Sequence, residues 1–331
     1  MNFGNLGKVE TAQTYLDIAF NQAKEYNKEN AKTLVGDRFT RFMRRELGGI
    51  NRVHTTLVRH LQMIVKCFPA IDQLDPFYHA LVLCVVDVAQ LKQSLGGVNW
   101  AAHRVEDLFR EYNPKLRGCR DDQAILKHKR AFYGRISSVI KKLNQDFIFL
   151  DEARKTMKEL PTLKTSIPTI VIAGLPNVGK STLLRALTGS APAIASYPFT
   201  TKQLMLGYRT YHDKKWQIID TPGLLDRPIN KRNKVEQQAA IALQHLAKIV
   251  LYVVDPTEQC GYPLKEQKNL MKEISKMLNV PIMVIMNKAD IATAEQIAVA
   301  SEGLSNIALI SADKEQGINE VLESLEKEIA K

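Results

Sequence analysis

Apolar side chains in the first half of the chain return every three or four positions, whereas in the second half they come in short unbroken runs. Leu57, Leu61, Ile64 and Val65 form one helical stripe, and Leu81, Val82, Val85, Val88 and Leu91 form another. A third stripe, Ile125, Phe132, Ile136, Val139, Ile140 and Leu143, predicts one long helix over residues 121–158 with its Lys and Arg side chains turned to water. Asp75-Pro76 reads as a helix start, because aspartate caps and proline suits the first turn. Gly96-Gly97 and Asn113-Pro114 read as breaks. Residues 9–160 therefore predict an all-α helical bundle.

Leu160-Pro161 opens a short linker that ends at Ser166-Ile167-Pro168. After it, buried-strand candidates at 169–173, 216–219, 249–254, 282–286 and 307–310 are each followed by a helical segment. Strands alternating with helices predict an α/β domain with a mostly parallel sheet flanked by helices. A chain of 331 residues also exceeds one compact α/β unit, so two domains are expected, 1–162 and 163–331.

Composition narrows the class. The longest apolar runs, at 80–86 and 249–254, fall well short of the roughly 20 residues a membrane span needs. Residues 1–10 have neither the charged start nor the apolar stretch of a signal peptide, so a cytoplasmic protein with no membrane partner is expected. Cys67, Cys84, Cys119 and Cys260 are scattered, without a Cys-x-x-Cys pair or histidines at metal spacing; Cys67 and Cys84 sit in apolar helical stretches and are expected to be buried thiols.

The net charge of +11 is uneven. Residues 1–165 hold 27 Lys and Arg against 18 Asp and Glu, a net of +9, and residues 166–331 hold 19 against 17, a net of +2. A basic half of this kind fits a polyanionic partner, nucleic acid or an anionic surface, as well as a solubilising helix face.

The candidate chemistry lies in the second half. Gly174-Leu175-Pro176-Asn177-Val178-Gly179-Lys180-Ser181, followed by Thr182, is a complete phosphate-binding loop placed after a strand and before a helix. Its glycines let backbone N–H groups converge on phosphate oxygens, Lys180 reaches the β- and γ-phosphates, and the Ser181 hydroxyl ligates magnesium. Asp220-Thr221-Pro222-Gly223 follows the strand at 216–219; Asp220 belongs near magnesium, and the Gly223 N–H should meet the γ-phosphate. Asn287-Lys288-Ala289-Asp290 follows the strand at 282–286 and selects guanine. The Asp290 carboxylate accepts from N1–H and the exocyclic amine, a pair that adenine lacks, while Asn287 braces the site and the Lys288 stem covers the ring. Ser311-Ala312 completes the base pocket through its backbone. Between the first two motifs, Tyr197-Pro198-Phe199-Thr200-Thr201 contains a threonine that should close on magnesium and the γ-phosphate, and either Thr200 or Thr201 fits. The expected ligands are GTP or GDP with Mg2+.

Many switch GTPases place a glutamine just after this Asp-x-x-Gly motif to orient the attacking water. Leu224 and Leu225 stand there instead. An apolar side chain cannot orient water, which leaves backbone groups with water, or a second cation, with Asn177 as a candidate ligand for K+.

Taken together, G-L-P-N-V-G-K-S from Gly174, Y-P-F-T-T-K from Tyr197 and D-T-P-G-L-L-D from Asp220 resemble the Obg-related GTPases. K-R-N-K-V-E-Q-Q-A from Lys231, A-L-Q-H-L-A from Ala242 and D-P-T-E-Q-C-G-Y-P-L-K-E-Q from Asp255 resemble the Nog branch, the nucleolar GTP-binding proteins. So do F-P-A-I-D-Q-L-D-P-F-Y from Phe68 and L-D-E-A-R-K-T-M-K-E-L-P from Leu150. The resemblance implies a GTPase that binds the precursor large ribosomal subunit and assists its assembly, in a short archaeal-type form without a long basic tail. It makes Thr201 the magnesium threonine beside Ser181. Asp313 stands where many relatives have lysine, so only main chain and Ser311 are expected to help the base pocket there.

On this resemblance rRNA is the polyanion, and Arg41, Arg44, Arg45, Arg52, Lys127, Lys129, Arg130 and Arg135 are candidates for its phosphates, with Phe132 expected in the core. Two other classes compete: a GTP-gated binding module with negligible hydrolysis, and a GTPase at an anionic membrane. The expected oligomeric state is a monomer.

Overall fold

Four side chains start the helices of the first half by accepting a hydrogen bond from a first-turn N–H. Thr11 caps α1 (Ala12–Glu29) at 3.3 Å, Asp37 caps α2 (Arg38–Cys67) at 2.8 Å, Asp87 caps α4 (Val88–Arg117) at 3.0 Å, and Asp121 caps α5 (Asp122–Lys142) at 2.7 Å. Each cap is worth about 1 kcal/mol. The computed structural model describes residues 3–30, 34–190, 192–195, 197, 204–228, 232 and 234–330, the side chains of 234 and 235 excepted.

The chain divides into two compact units. One comprises Phe3–Ala70 and Val86–Lys158, and the other comprises Ile71–Val85 together with the chain from Glu159 onward. The first unit is helical. Ile50, Val53, Leu57 and Leu61 of α2, Leu91, Val98 and Val105 of α4, and Ile125, Phe132, Ile136 and Ile140 of α5 make its core, with Phe132 fully buried as expected.

Three local expectations are corrected here. Residues 121–158 form two helices, α5 and α6 (Asn144–Lys158), because the Leu143 N–H turns back to Ile140 O at 3.1 Å and the Asn144 side-chain oxygen accepts from the Ala12 N–H. Gly96-Gly97 and Asn113-Pro114 do not interrupt α4. Val98, Ala101, Val105, Leu108, Tyr112 and Leu116 keep one buried stripe across both, and this packing carries the helix through Pro114 in its last turn although the proline removes one i→i−4 hydrogen bond. Cys67 and Cys84 are half-buried rather than buried.

The second unit carries a seven-stranded sheet of order β2-β3-β4-β1-β5-β6-β7. β1 (Thr169–Ala173), β4 (Lys214–Asp220), β5 (Ala247–Val254), β6 (Ile282–Met286) and β7 (Ile307–Leu309) run parallel. β2 (Ala193–Ala195) and β3 (Leu204–Tyr211) extend the sheet antiparallel and were not expected. The β3–β4 hairpin turns through His212-Asp213, both left-handed at φ 43° and 64°, a two-residue turn without the Asn-Gly signature that marks such turns in a sequence.

A helix from the first half belongs to this unit. α3 (Pro76–Val85) packs against α8 (Lys234–Ala242), with Phe77 and Tyr78 fully buried. The Leu163 N–H donates to the Tyr78 hydroxyl at 2.8 Å, which binds the linker to α3. The unit boundaries thus differ from a single cut at 162: Ile71–Val85 is spliced into the second unit. Among the described residues no single helix is long and apolar enough to cross a membrane.

Candidate nucleotide-binding site

The five parallel strands end at one edge of the sheet, and the phosphate loop, Asp220–Gly223, Asn287–Asp290 and Ser311-Ala312 stand at the ends of β1, β4, β6 and β7. β1 delivers the phosphate loop into α7 (Lys180–Thr188). Gly174 has φ 144°, and a Cβ there would lie 2.6 Å from Val253 O; at Gly179, φ 100°, a Cβ would lie 2.1 Å from Asn287 Nδ2. Only glycine fits either position. Asn177 takes the left-handed conformation at φ 63° and is exposed. Leu175 and Val178 are buried, Pro176 is half-buried and Thr182 is exposed. Lys180 is buried and donates from Nζ to Leu175 O at 2.8 Å, so its charge is held inside the loop that would receive phosphate.

β4 ends at Asp220, opposite Ile172 of β1. Its Oδ2 accepts from Ser181 Oγ at 2.7 Å, and its Oδ1 is buried with no hydrogen-bond partner. Burial pushes the Asp220 carboxyl up from its ordinary value, against the pull of the Ser181 hydroxyl and the Lys180 charge. A buried, unpaired carboxylate oxygen beside a serine hydroxyl is a hard-oxygen donor set of the kind magnesium takes, so the residues fit that ion. Among the described residues no cluster of three His, Cys, Asp or Glu offers another metal site. Thr221 Oγ1 donates to Ile172 O at 3.2 Å and Pro222 is half-buried. Gly223, φ 80°, donates its N–H to Asp226 Oδ2 at 2.8 Å. Leu224 and Leu225 are buried, so neither reaches the site's solvent.

The base pocket hangs on Asn287. Its Nδ2 donates to Val178 O at 2.9 Å, and its Oδ1 accepts from the Ala312 N–H at 2.9 Å, so one buried amide ties the phosphate loop to the Ser311-Ala312 loop. Lys288 is left-handed at φ 61°, and its Nζ donates to Asp255 Oδ2 at 2.6 Å. Burial alone would push the Asp255 carboxyl up, but hydrogen bonds from Lys288 and Thr257 outweigh it and hold the group below its ordinary value. Cys260 N also donates to this carboxylate, and Gln267 brackets the Asp255 backbone from both sides. Asp290 pairs with Lys314 at 3.0 Å, and hydrogen bonds from Lys314 and Ser311 hold its carboxyl below the usual range. Lys314, one residue after Asp313, thus lies against the Asp290 carboxylate.

Phe199, Thr200 and Thr201 lie outside the described residues. Tyr197, from the same segment, is buried and donates its hydroxyl to Ala239 O of α8 at 2.7 Å. Three groups escaped the reading of the motifs. Asp226 closes the family-like run D-T-P-G-L-L-D but was given no role there. Asp255 stands at the edge of a parallel strand, where such sites gather, and Lys314 is displaced by one position from where a lysine was sought.

Of the basic residues assigned to phosphate contact, Arg41, Arg44, Arg52, Lys127, Arg130 and Arg135 are exposed and Arg45 is half-buried. Lys129 is instead half-buried and paired with the buried Glu46, to which Arg45 also bonds. Arg44 donates to Val35 O, Arg52 lies over the Tyr26 ring, and Arg135 pairs with Glu111 and lies over Tyr112.

The chain is similar to known proteins in both halves. Residues 3–164 match the NOG1 N-terminal helical domain, and residues 169–288 match the 50S ribosome-binding GTPase family. A Methanocaldococcus jannaschii protein is 41% identical over 248 residues, which are 75% of this chain and 69% of that protein. Nucleolar GTP-binding protein 1 of Drosophila melanogaster is 32% identical over 97% of this chain, and that of Saccharomyces cerevisiae is 32% identical over 90%. The chain spans about half the length of those two, 50% and 46%. The crystal structure of a Plasmodium falciparum nucleolar GTP-binding protein 1 aligns over 52% of this chain and 90% of its own, at 30% identity and a TM-score of 0.46. With its N-terminal helical domain followed by a P-loop GTPase domain, the chain belongs to the Nog family of nucleolar GTP-binding proteins.

Proposed function

We propose that the chain binds and hydrolyses GTP and acts as a nucleotide-gated assembly factor on the precursor large ribosomal subunit, its basic helical half meeting rRNA. The observation that carries the reading is the convergence of Lys180, Ser181, Asp220, Gly223, Asn287 and Asp290 at one sheet edge, joined to a half of net charge +9. Packing around α8 supports the gated reading. Tyr197 and α3 both pack on α8, the helix after the Asp-Thr-Pro-Gly turn, and α3 is continuous in sequence with the helical unit at both its ends. A shift of α8 with nucleotide state would therefore be felt by α3.

Ser181 and Asp220 and, by the family pattern, Thr201 would hold magnesium, which when bound would supply positive charge to the nucleotide phosphates. Lys180 supplies a fixed cation to the same phosphates, and Gly223 an N–H to the γ-phosphate. With Leu224 buried in place of a water-orienting glutamine, hydrolysis by the chain alone should be slow. The exposed Asn177 is the candidate ligand for a monovalent cation beside the phosphates. Turnover in potassium should exceed that in sodium at constant ionic strength by about a hundredfold, the lower end of the scale of one preorganised electrostatic stabiliser; equal rates would remove K+ from the mechanism.

The deciding experiment is sedimentation with purified ribosomal subunits, comparing a non-hydrolysable GTP analogue with GDP at two salt concentrations. Association with the large subunit should favour the GTP form and weaken with salt, because phosphate contacts release counterions. Absence of association in both states would sink the ribosomal reading and leave the nucleotide site untouched. Cofractionation instead with anionic vesicles would favour a membrane surface.

A further inference from the structure

The Gly223 N–H, the donor expected to sense the γ-phosphate, already has an anionic acceptor: Asp226 Oδ2 at 2.8 Å. This contact is well enclosed. Asp226 is 7% exposed, and the turn that presents it is closed by N–H groups of Leu224 and Leu225 on Thr221 O at 3.1 and 3.3 Å. The following residue is anchored as well, with Arg227 paired to Glu236 of α8 at 3.1 Å. The carboxylate is thus a fixed part of the turn.

One N–H makes one strong hydrogen bond, so a carboxylate and a phosphate oxygen cannot both hold it. Both are anions, and a γ-phosphate arriving at Gly223 would also meet the Asp226 charge in a buried setting, where repulsion is weakly screened. A diphosphate places nothing at that donor. We propose that Asp226 determines the choice between di- and triphosphate: its carboxylate stands in for the γ-phosphate on Gly223, so GTP binds only by displacing it while GDP binds unopposed. The displaced carboxylate has a buried cation within electrostatic reach, Arg232, whose Nε lacks a hydrogen-bond partner. The proposal rests on the reading of Gly223 as a γ-phosphate donor and deepens it by naming the group that competes there.

The test uses the full chain with magnesium and a fluorescent GDP displaced by GDP or by a non-hydrolysable GTP analogue. Replacing the carboxylate in Asp226→Ala should shift the affinity ratio toward the triphosphate by about tenfold, the worth of one charge-assisted hydrogen bond, with GDP affinity little changed. Asp226→Asn, nearly the same size and uncharged, should move it in the same direction by less. A ratio that stays put, or moves toward GDP, overturns the proposal. Amide hydrogen exchange at Gly223 in the nucleotide-free chain gives a second reading that needs no ligand: protection in the parent and its loss in Asp226→Ala are expected, and an unprotected parent amide would rule the latch out. If the parent chain fails to bind either nucleotide, the GTP reading fails on its own, while the exchange measurement still decides the contact.

Discussion

Asp290→Asn is expected to weaken guanine-nucleotide binding by at least about a hundredfold and to raise affinity for xanthine nucleotides. Asn presents donors where guanine also presents donors, and buried groups left unpaired against a wrong edge are what make such pockets discriminate strongly. Xanthine carries an oxygen in place of the exocyclic amine and can accept from the new amide. Competition of GTP and XTP against a fluorescent nucleotide measures both shifts; unchanged GTP affinity would show that Asp290 does not read the base. The same carboxylate predicts a pH dependence. Lys314 and Ser311 hold its pKa below the ordinary value, so the ionised form, and with it guanine recognition, persists into mildly acid solution and is lost only as pH falls through that lowered value. Lys314→Ala should move the loss to higher pH.

The second large effect concerns Asn287. Truncation in Asn287→Ala would orphan the Val178 carbonyl and the Ala312 N–H together, both now served by one buried amide. Each lost partner costs about 1–3 kcal/mol, so the variant should lose about 2–5 kcal/mol of stability in urea unfolding and bind GDP at least about tenfold more weakly. A parent-like unfolding midpoint together with parent-like GDP affinity would remove the bracing role. Asn287→Asp separates the two bonds. Its carboxylate still accepts from Ala312 but meets the Val178 carbonyl as one buried acceptor against another, so a loss of stability at least as large is expected.

Local chemistry carried a large part of this protein in readable form. Asp75-Pro76 begins α3 because proline's fixed φ and the aspartate side chain, which accepts from Phe77 N at 3.0 Å, act within one turn. The runs at 169–173 and 282–286 coincide with β1 and β6, since an uninterrupted β-branched run is stable only when covered on both faces. Gly174, Gly179, Lys180, Ser181, Asp220, Asn287 and Asp290 were recognisable because each motif is a short stretch whose spacing sets its own geometry. The hairpin of β3 and β4 escaped because His212-Asp213 reach the left-handed region without glycine or asparagine, and the seams at Leu143, Gly97 and Pro114 were misjudged because packing overrides local propensity.

The two fold classes, the phosphate-loop signature, the Asn287-Lys288-Ala289-Asp290 motif and the asymmetry of charge were thus legible in the sequence alone. Tertiary structure decided the partners. It brings Asp226 onto Gly223, Asp255 onto Lys288, Lys314 onto Asp290 and Asn287 between Val178 and Ala312, and it withdraws Lys129 from the surface to neutralise Glu46. It also carries Ile71–Val85 out of the helical half and onto α8. The physical reason is common to all of these: a buried charge or amide must find its complement wherever the fold presents one, and sequence distance does not limit that choice.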